Sequence, residues 1–281
     1  MTVAVRSTRR AAPRKPNTQS MWRRELARGK SVLIGVIAAV VLVIIWYLLT
    51  LPGGLIQPLF LPPPQGVATQ FITMLSEPYL GSTLWGHAIA SLGVVLEAWA
   101  LGGIIGIPLG IAVAWWKRAR WIVWPLFQLI RPVPPLAWIP LAIVWLGIGD
   151  VARVAVVFVA ALVPWVMNSI EAVRSIDPLL VSAARTLGAS EPQILMRVVV
   201  RTGLPTILAG ARIALGNAWT TLVAAEMLAA TAGLGFVALN ASRVLDLDTL
   251  LVAMGTIGIL GAALSILISS AAQWIAPWAE D

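Results

Sequence analysis

The chain is 281 residues long, 59% hydrophobic and only 11% charged, with a mean hydropathy of +0.89. Soluble domains carry about 25% charged residues, so this composition marks an integral membrane protein rather than a soluble enzyme or nucleic-acid-binding domain. The net charge of +8 is placed as a topology signal, and the absence of cysteine removes disulfides, cysteine metal ligands and cysteine nucleophiles.

Residues 1–30 hold nine lysines and arginines against one acid, Glu25, and read as a disordered basic tail on the cytoplasmic face. Gly29-Lys30-Ser31 has the form of the end of a phosphate-binding loop. Arg24 stands where the first glycine would be and no strand precedes it, so no nucleotide site is read in this chain. Ser31 to Leu51 is an uncharged apolar run, and a helical span needs about 20 such residues. It is too long for a signal sequence, and Pro52-Gly53-Gly54 is not a small-residue cleavage site, so it reads as a retained first span. Residues 52–87 contain no Lys or Arg, and prolines 52, 58, 62, 63 and 64 predict an irregular outer loop. His87, the only histidine, lacks the partners that metal or triad chemistry needs and reads as an interfacial side chain.

A second span runs from Ala88 to Trp116. Gly102, Gly106 and Gly110 repeat at four-residue spacing, which stacks them on one helical face and predicts close packing against a neighbouring backbone. Lys117, Arg118 and Arg120 mark a return to the cytoplasm. The third span, Trp121 to Ile148, is interrupted by Arg131-Pro132-Val133-Pro134-Pro135, because proline removes a backbone donor and breaks the helix. Irregular backbone at membrane depth needs cover from protein or a water-filled cavity. Arg131 there is a candidate pathway charge; the other reading is a snorkelling or salt-bridged structural arginine.

Asp150 and Arg153 are placed in a short outer turn, and the fourth span runs from Val154 to Ile170. The fifth, Gly203 to Leu228, holds Arg212 near mid-membrane and Glu226. Glu97 and Glu226 are both candidate counter-charges for Arg131 or Arg212, and the sequence leaves the pairing open. Residues 229–248, with Gly233-Leu234-Gly235-Phe236, form another outer loop, and Thr249 to Pro277 is a charge-free sixth span. Sixteen of the 20 basic residues fall in the segments assigned to the cytoplasm and two, Arg153 and Arg243, in outer loops. That bias predicts six spans with both termini inside.

Between spans four and five lies a polar loop, about residues 171–202. Asp177 can cap a helix starting at Pro178 and ending at Gly188, and Ser190 with Gln193 forms a capping box for a second short helix. Ile194, Leu195 and Val198 give that helix an apolar face. The stretch Ser182-Ala183-Ala184 followed by Gly188-Ala189-Ser190 and then Val198 resembles the cytoplasmic loop of permease subunits of ABC importers, whose pattern is E-A-A, three residues, a glycine, nine residues and I-x-L-P. Ser182 replaces the glutamate of that pattern, and Val200-Arg201 replace its Leu-Pro pair. Phe60 to Pro64, Arg131 to Gly149, Thr221 to Met227 and Gly233 to Phe236 are similar to the taurine, sulfonate and nitrate branch of the same family.

The resemblance implies an all-α type I importer permease with a basic tail at 1–30 and a transmembrane domain at 31–281. It implies pairing with a second copy, docking on an ATPase homodimer and receipt of substrate from a periplasmic or lipid-anchored binding protein. It places coupling contacts at Ala183, Ala184, Gly188, Ala189, Ser190, Gln193, Ile194 and Leu195. ATP and Mg would be bound by the ATPase, with no cofactor, metal or catalytic residue in this chain. The substrate would be taurine or a related sulfonate, with nitrate or another small organic anion as the alternative. A gradient-driven transporter would call for matching broken helices in two halves, and only span three is broken. An intramembrane protease would need a serine or zinc motif that the sequence lacks.

Overall fold

A computed structural model describes residues 18–51 and 60–279; the tail before Thr18, the prolines at 52 and 58 and the last two residues lie outside the described residues. The chain divides into two compact units, residues 1–64 and residues 65–281. In the first, helix α1 (Thr18–Leu49) begins thirteen positions before Ser31, so the basic residues from Arg23 to Lys30 stand on a helix instead of in an irregular tail. The Trp46 indole Nε1 donates to the Pro62 carbonyl at 2.9 Å.

The second unit is built from α2 (Pro64–Ser76), α3 (Leu84–Trp115), α4 (Lys117–Ile130), α5 (Ile139–Leu146), α6 (Asp150–Arg174), α7 (Pro178–Thr186), α8 (Glu191–Gln193), α9 (Val200–Ala229), α10 (Leu234–Arg243) and α11 (Leu247–Ile275). Among the described residues four helical stretches are long and apolar enough to cross a membrane: α3, α6, Glu191–Leu228 and α11. The pair α4 and α5 makes a fifth crossing if counted as one, but it bends by 87° across the proline-rich break, where Pro135–Trp138 forms a single 3-10 turn. The described apolar part of α1, Ile34–Leu49, is shorter than a span.

Helices α3, α6 and α9 form the centre. Val95, Ala98, Val157, Ala161, Ala214, Ala218 and Leu222 are almost fully buried between them. Small residues dominate because helix pairs in lipid gain from close backbone approach rather than from water exclusion. A Cβ on Gly106 would lie 2.7 Å from the Trp165 Cβ, and one on Gly110 would lie 2.6 Å from the Val166 carbonyl oxygen. A Cβ on Gly102 would press on Ala161 and Trp165 at 3.1 Å. The glycine face therefore receives α6. Two indoles lock the same layer: Trp165 donates to the Trp99 carbonyl at 3.1 Å, and Trp99 to the Ala211 carbonyl at 2.9 Å.

Each end of the bundle has its own small core. At one, Met74, Leu84, Ala88, Leu234, Val237 and Val252 join α2, α3, α10 and α11. Both α2 and α10 fall in stretches expected to be loops. Pro64 suits the first turn of α2, where the missing N–H is not needed, and α10 is buried by tertiary packing that local pattern does not reveal. At the opposite end, Val113, Ala114, Phe127, Val166 and Ile170 join α3, α4 and α6. Lys117, Arg118, Arg120, Arg174, Arg185, Arg197 and Arg201 gather at that end, against Arg153 and Arg243 at the other.

Gly106→Ala should lower unfolding stability by about 1–3 kcal/mol through overpacking. Gly93→Ala, on the same helix with nothing within 4 Å of its added carbon, should instead be neutral or stabilising by up to about 1 kcal/mol. Thermal unfolding of the two detergent-purified variants distinguishes these signs.

Candidate functional site: a coupling elbow and a buried charge knot

The segment between α6 and α9 is an elbow set by local sequence. The Asp177 carboxylate accepts from the Leu179 N–H at 2.9 Å and caps α7, whose first residue is proline. The helix ends when Gly188 takes φ +81°. The Ala189 N–H then reaches the Ala184 carbonyl at 3.1 Å and the Gly188 N–H reaches Arg185 at 2.9 Å, the paired bonds of a left-handed helix stop. A side chain at that φ costs about 1–2 kcal/mol, so glycine is the suitable residue. Ser190 and Gln193 close the capping box, with the Gln193 side chain accepting from the Ser190 N–H at 2.9 Å.

The capping box does not open a separate short helix. No glycine or proline intervenes after Gln193, and the chain continues through a π-helical stretch, Ile194–Val199, directly into α9. The wider turn puts Ile194, Leu195 and Val199 on one face. All three are buried against Ile111 and Trp115 of α3, Val173 at the end of α6, and Val181 and Ala184 of α7. Ile194 and Leu195 thus seat the elbow on the bundle and do not present themselves to an outside partner. Of the coupling set read from sequence, Ala183, Gly188, Ser190 and Gln193 are exposed, while Ala184 and Ala189 are half-buried.

The outward surface also includes Leu179, Leu180 and Leu187, at 74%, 47% and 87% exposure. The sequence reading missed them; the available signal was large apolar residues inside a polar loop. Across the elbow Arg185 pairs with the Glu191 carboxylate at 2.9 Å, an exposed contact worth about 0–1 kcal/mol.

The intramembrane charges arrange themselves differently from expectation. Arg131 and Glu97 are exposed, and Arg212, also exposed, donates to the Ser269 carbonyl at 3.1 Å. Neither arginine meets Glu226 or Glu97. The partner of Glu226 is Arg153, which sequence placed in an outer turn; it sits in the first turn of α6 with only 2% of its side chain exposed, and Glu226 is fully buried. The Arg153 Nη1 lies 3.7 Å from Glu226 and donates to the Ala232 carbonyl at 2.9 Å, while Nη2 donates to Asp150.

Glu226 is held from two further directions. The Ser91 hydroxyl of α3 donates to it at 2.7 Å, and the Gly235 N–H at 2.9 Å. Ser91 in turn accepts from the Leu234 N–H at 3.0 Å. His87, expected at the interface, is completely buried beside this group. Its Nδ1 accepts from the Gly233 N–H at 3.2 Å, which leaves Nε2 to donate to the Tyr79 carbonyl at 2.8 Å. Gly233 has φ +130°, and a Cβ there would collide with the Glu226 carboxylate. The knot therefore clamps the turn at 232–235 onto α3, α6 and α9. No group of three or more metal-ligating side chains occurs among the described residues.

Residues 106–281 match the family model for the inner membrane component of binding-protein-dependent transport systems. The chain is 39% identical to the taurine transport system permease protein TauC of Escherichia coli K12, covering 92% of this chain and 93% of that protein. It is 32% identical to the bicarbonate transport system permease protein CmpB of Synechococcus elongatus, covering 97% and 98%. An inward-facing structure of the MetNI methionine ABC transporter shares the fold at a TM-score of 0.57 and 24% identity, over 66% of this chain and 91% of that one. The chain belongs to the binding-protein-dependent transport permease family, in the branch that includes the taurine and aliphatic sulfonate permeases. It is a permease component of an ABC importer and a multi-pass inner-membrane protein.

Removing one member of a buried ion pair leaves the other uncompensated and costs about 3–5 kcal/mol. Glu226→Ala and Arg153→Ala should each destabilise the detergent-purified protein on that scale. A double-mutant cycle should return coupling above about 1 kcal/mol. Additive losses in that cycle would show that the two charges act independently.

Proposed function

We propose that this chain is the membrane-spanning permease of an ATP-driven importer for taurine or a related sulfonate. The carrying observation is the elbow: an exposed α7 surface rigidly seated, through Ile194, Leu195 and Val199, on the ends of α3 and α6. A partner that moves α7 must move those helix ends with it, because packed side chains shift as bodies rather than deform. The taurine assignment is supported by the identity to TauC over nearly the whole of both chains. The bicarbonate permease among the relatives supports a second reading, in which the cargo is another small oxyanion.

In this reading the chain crosses the membrane six times, α1 making the first crossing and α4 with α5 the third, and both termini face the cytoplasm. The support is the gathering of basic residues at the elbow end, the positive-inside bias. Two copies pair around the pathway and an ATPase homodimer docks beneath the two elbows. A binding protein delivers substrate at the end formed by α2 and α10. ATP and Mg belong to the ATPase, and this chain carries out no covalent chemistry. The buried knot at 232–235 acts here as a fixed anchor for the outer end, while the elbow is the driven end.

ATP hydrolysis by the purified complex, with and without binding protein and taurine, tests the assignment. Stimulation that requires both supports a taurine importer. Stimulation by bicarbonate or nitrate instead moves the cargo to the second reading, and failure of any ATPase chain to co-purify overturns the importer mechanism. Gly188→Pro forbids φ +81° and deletes the N–H that bonds Arg185. It should leave membrane insertion intact and abolish transport, read by protease protection and by uptake of labelled taurine.

A further inference from the structure

At the elbow end, a groove separates the start of α9 from the end of α11. Arg197, Arg201, Thr202, Pro205 and Trp278 line a cavity of about 610 Å³. Pro205 also lines a second cavity of about 300 Å³ beyond it, which runs past Leu208, Ala209, Ala272 and Ala276 to Arg212. The two form one trough. Arg201, Pro205, Leu208 and Arg212 share a helical face at intervals of four, three and four residues, so the trough follows α9 for about 16 Å.

Among the described residues its mouth is basic, lined by Arg197 and Arg201 with no carboxylate. Among the described residues the ion pairs are Arg153 with Asp150 and Glu226, and Arg185 with Glu191. Arg197 and Arg201 are exposed and have no ion-pair or hydrogen-bond partner among the described residues. Trp278 stands at the same mouth, just past the end of α11. Arginine beside tryptophan at a helix end is the chemistry of the membrane–water boundary. Farther along, Leu208, Ala209, Ala272 and Ala276 give a largely apolar floor beside the polar Gln273, and Arg212 closes the far end with its guanidinium turned to the Ser269 carbonyl.

We propose that this trough binds one anionic phospholipid, its phosphodiester between Arg197 and Arg201 and one acyl chain along the floor toward Arg212. Forked guanidinium donors match phosphate oxygens in charge and geometry. A small soluble anion would use the mouth but leave the apolar trough empty; a lipid fills both. The site adjoins the π-helical seat of the elbow, so an occupied trough braces the element on which coupling depends. The proposal is independent of which substrate the importer carries.

The test is native mass spectrometry of the permease with its co-expressed ATPase, titrated with dioleoyl phosphatidylglycerol or dioleoyl phosphatidylcholine. The wild-type complex should retain phosphatidylglycerol selectively. Arg197→Gln with Arg201→Gln should weaken that retention about thirtyfold, from the loss of two charges near the surface. Arg197→Lys with Arg201→Lys keeps the charges but loses the forked donors, and should weaken retention less than the Gln pair does, which separates lost recognition from lost folding. Lys117→Gln with Arg118→Gln, at the same membrane face but away from the trough, should bind as wild type. Equal retention by the Gln pair and wild type overturns the proposal. So does displacement of the lipid by millimolar inorganic phosphate or taurine, which would mark a site for soluble anions.

Discussion

A carboxylate sealed inside a membrane protein must be answered by charge and hydrogen bonds drawn from elsewhere in the chain, and Glu226 imposes that demand on three other elements. It takes Arg153 from α6, Ser91 from α3 and the Gly235 N–H from the turn that enters α10. Because each partner comes from a different element, satisfying one carboxylate fixes the relative placement of all of them. The demand also explains Gly233: the turn must pass so close to the carboxylate that no side chain fits. His87 is drawn into the same group through the neighbouring N–H, which is why a histidine near a helix start is buried.

The knot and the elbow are opposite ends of one rod. The continuous helix from Glu191 to Leu228 carries the seat of the elbow near its beginning and Glu226 near its end. At 1.5 Å per residue, Ile194 and Glu226 are about 48 Å apart along the axis. The rod is packed along its middle by α3 and α6 through glycines, alanines and two hydrogen-bonded tryptophans. Its π-helical stretch at 194–199 lies directly over the contact with α7.

Much of the elbow was legible in the sequence because its determinants are local. Asp177, Pro178, Gly188, Ser190 and Gln193 act within a few residues of themselves through caps and turns. The three α3 glycines were legible for a related reason, since four-residue spacing fixes their common face whatever packs there. The pairing of Glu226 was not legible. Arg153 is separated from it by 73 positions, and a charge beside a span boundary looks like a loop charge until the fold buries it. The helices α2 and α10 escaped for the same reason, as their stability comes from the core around Leu84, Leu234 and Val252.

The sequence alone determined that this is a helical membrane protein, where its long apolar segments lie, which loop carries the elbow and which glycines face a neighbour. Transfer energies and backbone preferences decide those features, and both act over short separations. Only the tertiary structure decided that Ile194 and Leu195 point inward, that Leu179, Leu180 and Leu187 remain outside, and that Arg153 answers Glu226. It also decided that Arg197, Arg201 and Trp278 meet across a groove. Those outcomes depend on which surfaces are left over once α3, α6 and α9 have packed, and that remainder is a property of the whole chain.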